Sequence, residues 1–251
     1  MLLFASDIDN TLIYSHKHEL NTEKIPCELY NGKNISFITK YTQEKLDYIY
    51  NNSLFIPVTT RSIEQYKRIR FNKWQPKYAI TSNGGCLLIN GEKSKEWSEF
   101  YLNYISDKVD ILKNAVKILE DDKYRDFDVK WVDDLFIYTK STNPEYTAAS
   151  LSKYLKGSDV LVYSYSSKVY AVPANLNKGY ALKKFIKDYK LNPSYIVTAG
   201  DSSFDIPLLE AGTYALFPET LNYSPVSKKY QKISQNQLFS DKVVENVIQL
   251  I

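Results

Sequence analysis

Leu2-Leu3-Phe4-Ala5-Ser6-Asp7-Ile8-Asp9-Asn10-Thr11 is a short apolar run that ends in two carboxylates. The run reads as a buried strand. Because a strand alternates its side chains, extended geometry carried through Ile8 turns Asp7 and Asp9 the same way and Ile8 the other. Two acids so placed can serve one phosphorylated substrate. One carboxylate attacks phosphorus and forms an aspartyl phosphate, while the other protonates the leaving oxygen and later takes a proton from water. Mg²⁺, a hard cation that prefers oxygen ligands, would neutralise both the acids and the phosphate. In isolation D-x-D-x-T is equally an acid-rich turn after an edge strand, so the rest of the chain has to decide.

Strand-like runs recur at Leu54 to Val58, Tyr78 to Thr81, Tyr195 to Ala199 and Tyr214 to Phe217, with helical patterns between several of them. That alternation is the mark of an α/β fold with a parallel sheet. Ser62 and Gln65 form a capping-box pair that opens a helix directly after Val58. Leu182, Phe185, Ile186 and Tyr189 stand at helical spacing, so Lys178-Gly179 falls at a helix start. Strand ends and helix starts are where open α/β sheets bind ligands.

The stretch from Gly85 to Pro173 has a different grain. A hairpin signal at Asn90-Gly91 is followed by a helix with Val109, Leu112, Val116 and Leu119 on one face. Strands are expected at Val129 to Thr139, Asp159 to Tyr165 and Lys168 to Val172, with Asn143-Pro144 opening a helix between the first two. This is an α+β insertion of residues 85–173 in a core of residues 1–84 and 174–251. A smaller insertion, Ser15 to Ile38, reads as a hairpin turning at Asn31-Gly32.

Gly200-Asp201-Ser202-Ser203-Phe204-Asp205 repeats the opening motif's layout, following one apolar strand and preceding a helix near Ile206-Pro207. If Asp7, Asp9, Asp201 and Asp205 converge, each close pair repels by about 4 kcal/mol at contact distance near the protein surface. Such a cluster needs cations. Lys178 can offset part of the charge and hold a phosphate oxygen, and Mg²⁺ can bridge Asp7, Asp201 and substrate. Thr59, at a strand end, offers a hydroxyl and a backbone N–H to phosphate.

In that order the motifs resemble the haloacid dehalogenase superfamily of phosphatases over nearly the whole chain. Asp7-Ile8-Asp9-Asn10-Thr11 is similar to its first motif, Val58-Thr59-Thr60-Arg61 to its second, Lys178-Gly179 to its third and Gly200-Asp201 through Asp205 to its fourth. The Ser82-Asn83-Gly84-Gly85 turn and the long insertion resemble the Cof-type, sucrose-phosphatase-like branch, which implies a Rossmann-like core with an inserted C2-type cap. More narrowly, Val58 to Arg61 with Glu64-Gln65-Tyr66 resembles bacterial members found near tellurium-resistance and stress-response genes. The resemblance implies that Asp7 is the nucleophile and a Mg²⁺ ligand. It makes Asp9 the general acid/base and a metal ligand through its carbonyl, gives phosphate binding to Thr59 and Lys178, and gives metal ligation or support to Asp201 and Asp205. Arg61 and Asn83 become possible substrate contacts, with a structural ion pair as the equal alternative for Arg61. Thr60 and Phe204 stand where the branch usually has Gly and Asn. In the insertion, Lys130, Trp131, Asp133 and Asp134 are candidate contacts or simply a solvated face.

The implied activity is hydrolysis of a small phosphomonoester, a sugar phosphate or similar metabolite, with a cap that opens and closes over it. The alternatives are a phosphomutase, which returns the phosphoryl group to a sugar, and a regulatory protein that binds a phosphometabolite without turnover. Composition narrows the field of partners. With 251 residues, 44% hydrophobic, 24% charged and a net charge of +3, the chain is ordinary for a globular protein and shows no basic excess for nucleic acid. No apolar stretch approaches a membrane span, and Cys27 and Cys86 form neither a metal knuckle nor a disulfide framework, so a cytoplasmic location is expected. His16 and His18 read as a solvated loop, and the 22 tyrosines as packing residues with a polar tip.

Overall fold

A computed structural model describes residues 1–225 and 229–251. The chain divides into two compact units, Met1–Ser94 with Asn177–Ile251, and Lys95–Leu176. The first is built on a five-stranded parallel sheet in the order Lys229–Ile233, Tyr214–Pro218, Tyr195–Ala199, Leu2–Ser6, Leu54–Pro57. Every residue of Leu2–Ser6 is buried, as a strand flanked on both edges and covered on both faces requires. Leu2 and Phe4 point into a cluster with Leu46 and Ile49 of helix Lys40–Asn52 and Val243, Val244 and Val247 of helix Phe239–Ile248. Each such side chain contributes about 1.5 to 3 kcal/mol of hydrophobic stabilisation. Asp241 fastens the two helices at their starts: its Oδ1 accepts from Thr39 Oγ1 at 2.5 Å and Thr42 Oγ1 at 2.7 Å. A carboxylate suits the positive end of both helix dipoles.

The small insertion forms a three-stranded antiparallel sheet of Tyr14–Ser15, Lys33–Thr39 and Lys24–Tyr30. Its tight turn uses Asn31 and Gly32, both at positive φ (49° and 73°), the geometry that matches the twist of the flanking strands. The ladder is interrupted between Pro26 and Glu28, and Cys27 and Glu28 are consecutively buried. That bulge turns a side chain inward which alternation alone would leave outside.

Strand Tyr78–Thr81 pairs with Cys86–Ile89, which pairs with Glu92–Lys93. A parallel bridge from Val58 to Ile80 joins this hairpin to the end of the sheet strand before it. The first unit therefore runs to Ser94, past the boundary expected at residue 84, because pairing with Tyr78–Thr81 keeps the hairpin in this unit.

The second unit has a four-stranded antiparallel sheet in the order Val160–Tyr165, Lys168–Pro173, Phe136–Lys140, Lys130–Val132. Helices Val109–Glu120 and Pro144–Tyr154 cover one face through Leu112, Ala115, Leu119 and Leu151 against Ile137, Val169 and Ala171. The single strand expected over Val129 to Thr139 is a hairpin instead, turning on Asp133 and Asp134 at φ 46° and 63°. Asp tolerates the left-handed region better than most residues, which lets an Asp-Asp pair make the turn without glycine. Among the described residues no helix is long and apolar enough to cross a membrane.

Candidate active site

Three neighbouring parallel strands deliver the acidic and hydroxyl residues to one edge of the sheet. Ser6 lies opposite Ala199 on one side and Pro57 on the other, so Asp7, Gly200-Asp201 and Val58-Thr59 leave the sheet together. Asp7 N donates to Ala199 O at 2.9 Å and Val58 N to Ser6 O at 2.7 Å, extending the ladder to the site. After Ile8 the chain turns sharply: Leu12 N and Ile13 N both donate to Ile8 O, with Asn10 at φ 56°. This turn carries Thr11 Oγ1 back to within 3.4 Å of both Asp7 Oδ2 and Asp201 Oδ1.

Lys178 is the first residue of helix Lys178–Asp188, whose N-cap Asn177 accepts from Tyr180 N at 2.8 Å. Its ammonium is 1% exposed and donates to Asp7 Oδ1 at 2.5 Å and Asp205 Oδ1 at 2.6 Å. Two glycines permit these approaches. A Cβ on Gly179 would stand 1.9 Å from Pro207 O, and one on Gly200 would stand 2.2 Å from Asp205 Cβ. Asp205 is fully buried, and its second oxygen accepts from Asp201 N, Ser202 N and Ser202 Oγ at 3.1, 2.9 and 2.8 Å. Both its oxygens are committed to holding Lys178 and shaping the Asp201 turn.

The electrostatics follow from this crowding. Burial pushes the Asp7 carboxyl well above the usual range; Lys178 pulls against it, and Asp205, Asp201 and Asp9 add to the rise. Burial works against the charged form of Lys178, but Asp205 and Asp7 outweigh it and hold the ammonium above its ordinary value. Asp7, Asp201 and Asp205 offer carboxylate oxygens within 4.8 Å of one another. An all-oxygen set of this kind fits a hard divalent cation, and both oxygens of Asp205 are already engaged by Lys178 and the Asp201-Ser202 turn.

Asp9 lies in a different setting. Its side chain is 45% exposed, and Arg61 grips it with two parallel bonds, Nε to Oδ2 and Nη2 to Oδ1, each 2.7 Å. The third edge of the guanidinium, Nη1, meets the buried Glu28 Oε1 at 2.9 Å. The structural ion pair expected as one alternative for Arg61 is formed, with Asp9 and Glu28 as its partners. Thr59 is fully buried; its Oγ1 accepts from Arg61 N at 3.1 Å, and its backbone N–H, expected to face phosphate, donates to Ile80 O at 2.9 Å. Asn83 is buried in the turn over this segment and donates its N–H to Thr59 O at 3.0 Å. Ser82 and Asn83 both take positive φ. Phe204 is buried, while Lys130 and Trp131 are exposed on the second unit's edge strand. Sequence reasoning passed over Glu28, Ser202 and the hydroxyl of Thr11.

The family model of sucrose-6F-phosphate phosphohydrolase matches residues 1–242. Among solved structures, the sucrose-phosphatase of a Synechocystis species in complex with sucrose and phosphate shares 15% identity and a TM-score of 0.63, covering 99% of this chain and 97% of its own. The C-terminal domain of C. albicans trehalose-6-phosphate phosphatase shares 14% identity and a TM-score of 0.64, covering 99% and 91%. A haloacid dehalogenase-like hydrolase from B. subtilis shares 14% identity and a TM-score of 0.61, covering 100% of both chains. At these identities the structural likeness is one of fold. No curated protein matches the sequence significantly. None of the three structures bears on the narrower likeness to tellurium-resistance members.

Proposed function

From the premise that the chain belongs to the sucrose-6F-phosphate phosphohydrolase family, phosphatases of the haloacid dehalogenase superfamily, we propose that it hydrolyses a small sugar phosphate through an aspartyl phosphate on Asp7, with Mg²⁺ as cofactor. The observation that carries the reading is the division of labour between two acids: Asp7 is buried and locked by Lys178, whereas Asp9 stays half-exposed in the grip of Arg61. A nucleophile needs fixed orientation, and a proton carrier needs access to leaving group and water.

In the first step the Asp7 carboxylate attacks phosphorus as the bond to the sugar oxygen breaks, and Asp9 gives that oxygen its proton. In the second step water attacks the acyl phosphate, Asp9 takes the water's proton, and inorganic phosphate leaves with Asp7 restored. Lys178 holds one oxygen of Asp7, so the other lies on the side of Thr11 and Asp201, and the ammonium offers positive charge to a phosphate oxygen. The Thr59 hydroxyl can add a donor to the phosphate. Mg²⁺ held by Asp7, Asp201 and the Asp9 carbonyl would favour the anionic nucleophile and offset phosphate charge. Asp205 supports this set through Lys178 and the Asp201 turn. The unit Lys95–Leu176 is assigned as the C2-type cap.

The test is phosphate release from a panel of sugar phosphates, nucleotides and phosphoglycerate-like acids, with Mg²⁺ or EDTA, for the wild type and Asp7→Asn. Metal-dependent release that Asp7→Asn abolishes supports the proposal. An isomeric sugar phosphate as product would indicate a mutase, and saturable binding without turnover would indicate a regulatory role.

A further inference from the structure

Glu28 is a carboxylate with a side chain 1% exposed, yet it sits on a hairpin strand outside every motif that identifies the site. A buried charge is costly unless paired and hydrogen-bonded, and this one is fully paired. Oε1 meets Arg61 Nη1 at 2.9 Å and Arg68 Nε at 3.0 Å, and Oε2 accepts from Ser36 Oγ at 2.6 Å. Burial pushes its carboxyl up, but the bonds from Arg61, Ser36 and Arg68 more than reverse that, and it ionises below its ordinary value. Arg61 in turn spends its remaining edge on both oxygens of Asp9. A guanidinium is planar with donors in a fixed fork, so anchoring one edge fixes the direction of the other. Arg68 is held independently by Glu64 at 3.6 Å and stacks over Tyr30 at 4.5 Å, so it does not need Glu28 merely for charge balance.

We propose that Glu28 is a positioning residue for proton transfer, acting through Arg61 to fix the orientation of the Asp9 carboxyl. This rests on the reading of Asp9 as the proton donor. Its chemical signature is dependence on the leaving group. A sugar alkoxide cannot depart without a proton, whereas nitrophenolate leaves unassisted. Misaligning Asp9 should therefore slow phosphoenzyme formation from the first substrate and spare the second. General acid assistance is worth about 10² to 10⁴ in rate, and misplacement on the ångström scale removes about 10²-fold.

The experiment is rapid-quench single turnover of Glu28→Gln, Asp9→Asn and the double variant, each with a hexose phosphate that the wild type hydrolyses and with p-nitrophenyl phosphate. Glu28→Gln is expected to slow the hexose phosphate about 10- to 100-fold and p-nitrophenyl phosphate less than about threefold. In the Asp9→Asn background it should cost nothing further. Equal loss on both substrates, no loss on either, or full additivity with Asp9→Asn overturns the proposal. If Glu28→Gln does not melt as a folded protein, Ser36→Ala, which frees one Glu28 oxygen, carries the same comparison with a smaller ratio in the same direction. A wild type that turns over neither substrate would sink the phosphatase reading itself, whereas an active wild type with an unselective Glu28→Gln sinks the positioning role alone.

Discussion

Replacing Lys178 with Met keeps the length of the side chain and removes the charge that sits between Asp7 and Asp205. With 1%, 7% and 0% of the three side chains exposed, solvent screens little of the interaction. Removing one partner from a buried, hydrogen-bonded pair costs about 3 to 5 kcal/mol, which for a domain of this size lowers the melting temperature by about 6 to 20 °C. The pH dependence gives a second check. Burial raises the Asp7 carboxyl, with neighbouring acids adding to the rise and Lys178 opposing it; without Lys178 it rises further. A carboxyl raised in the folded state supports folding fully below its unfolded value, about 4, and withdraws that support as pH climbs through the folded value. The deficit of Lys178→Met is therefore largest at neutral pH and shrinks on acidification, and adding Asp7→Asn should restore part of it. The assay is thermal melting by circular dichroism in metal-free buffer from about pH 4.5 to 8. A variant that melts within about 2 °C of wild type at neutral pH, or a deficit that grows in acid, refutes the reasoning.

Asp7→Asn alone should abolish turnover yet melt at or above the wild-type temperature at neutral pH, because it removes a carboxyl whose ionisation the fold resists while leaving Lys178 paired with Asp205; a large drop in melting temperature would contradict this. Gly179→Ala should lose several kcal/mol, since its Cβ would stand 1.9 Å from Pro207 O and overpacking against backbone exceeds the usual cost of about 1 to 3 kcal/mol; soluble yield and melting check it. Mg²⁺ at 100 times its dissociation constant should stabilise the wild type by about 2.7 kcal/mol and leave Asp7→Asn/Asp201→Asn unmoved, a difference that scanning fluorimetry with and without EDTA reads directly.

Much of this site could be read from the chain because its residues follow strands, and strands have a simple period. Asp7, Thr59 and Asp201 each follow an apolar run, and paired strands bring their ends together. Lys178 was legible for the complementary reason, standing at the start of a helix with a clear apolar face. Glu28 was not. Period two puts it on the same side as Lys24 and Pro26, and only the bulge at Cys27 turns it inward. Its partners Arg61 and Arg68 come from a segment beyond the next helix, where no local pattern points back to it. The Asp133-Asp134 turn escaped notice because the signal sought for such turns is an Asn or Asp followed by Gly, and two acids in the left-handed region carry none. The Thr59 N–H was assigned to phosphate because its partner, Ile80 O, belongs to a strand whose bridge to Val58 is a single tertiary contact.

Strand Leu2–Ser6, paired on both sides, needs as one neighbour the central strand of the sheet, Tyr195–Ala199, from far along the chain. A ribosome working at about 5 to 20 residues per second takes about 10 to 40 s to travel from Asp7 to Asp205. Through that interval Asp7 trails a strand of four apolar residues and Ser6 with one hydrogen-bonding flank vacant, a target for chaperones and for errant β-pairing. Completion of the site is thus timed by translation: a nascent chain stalled between Lys178 and Asp205 would carry Asp7 and its ammonium partner but not the second carboxylate that holds that ammonium in place.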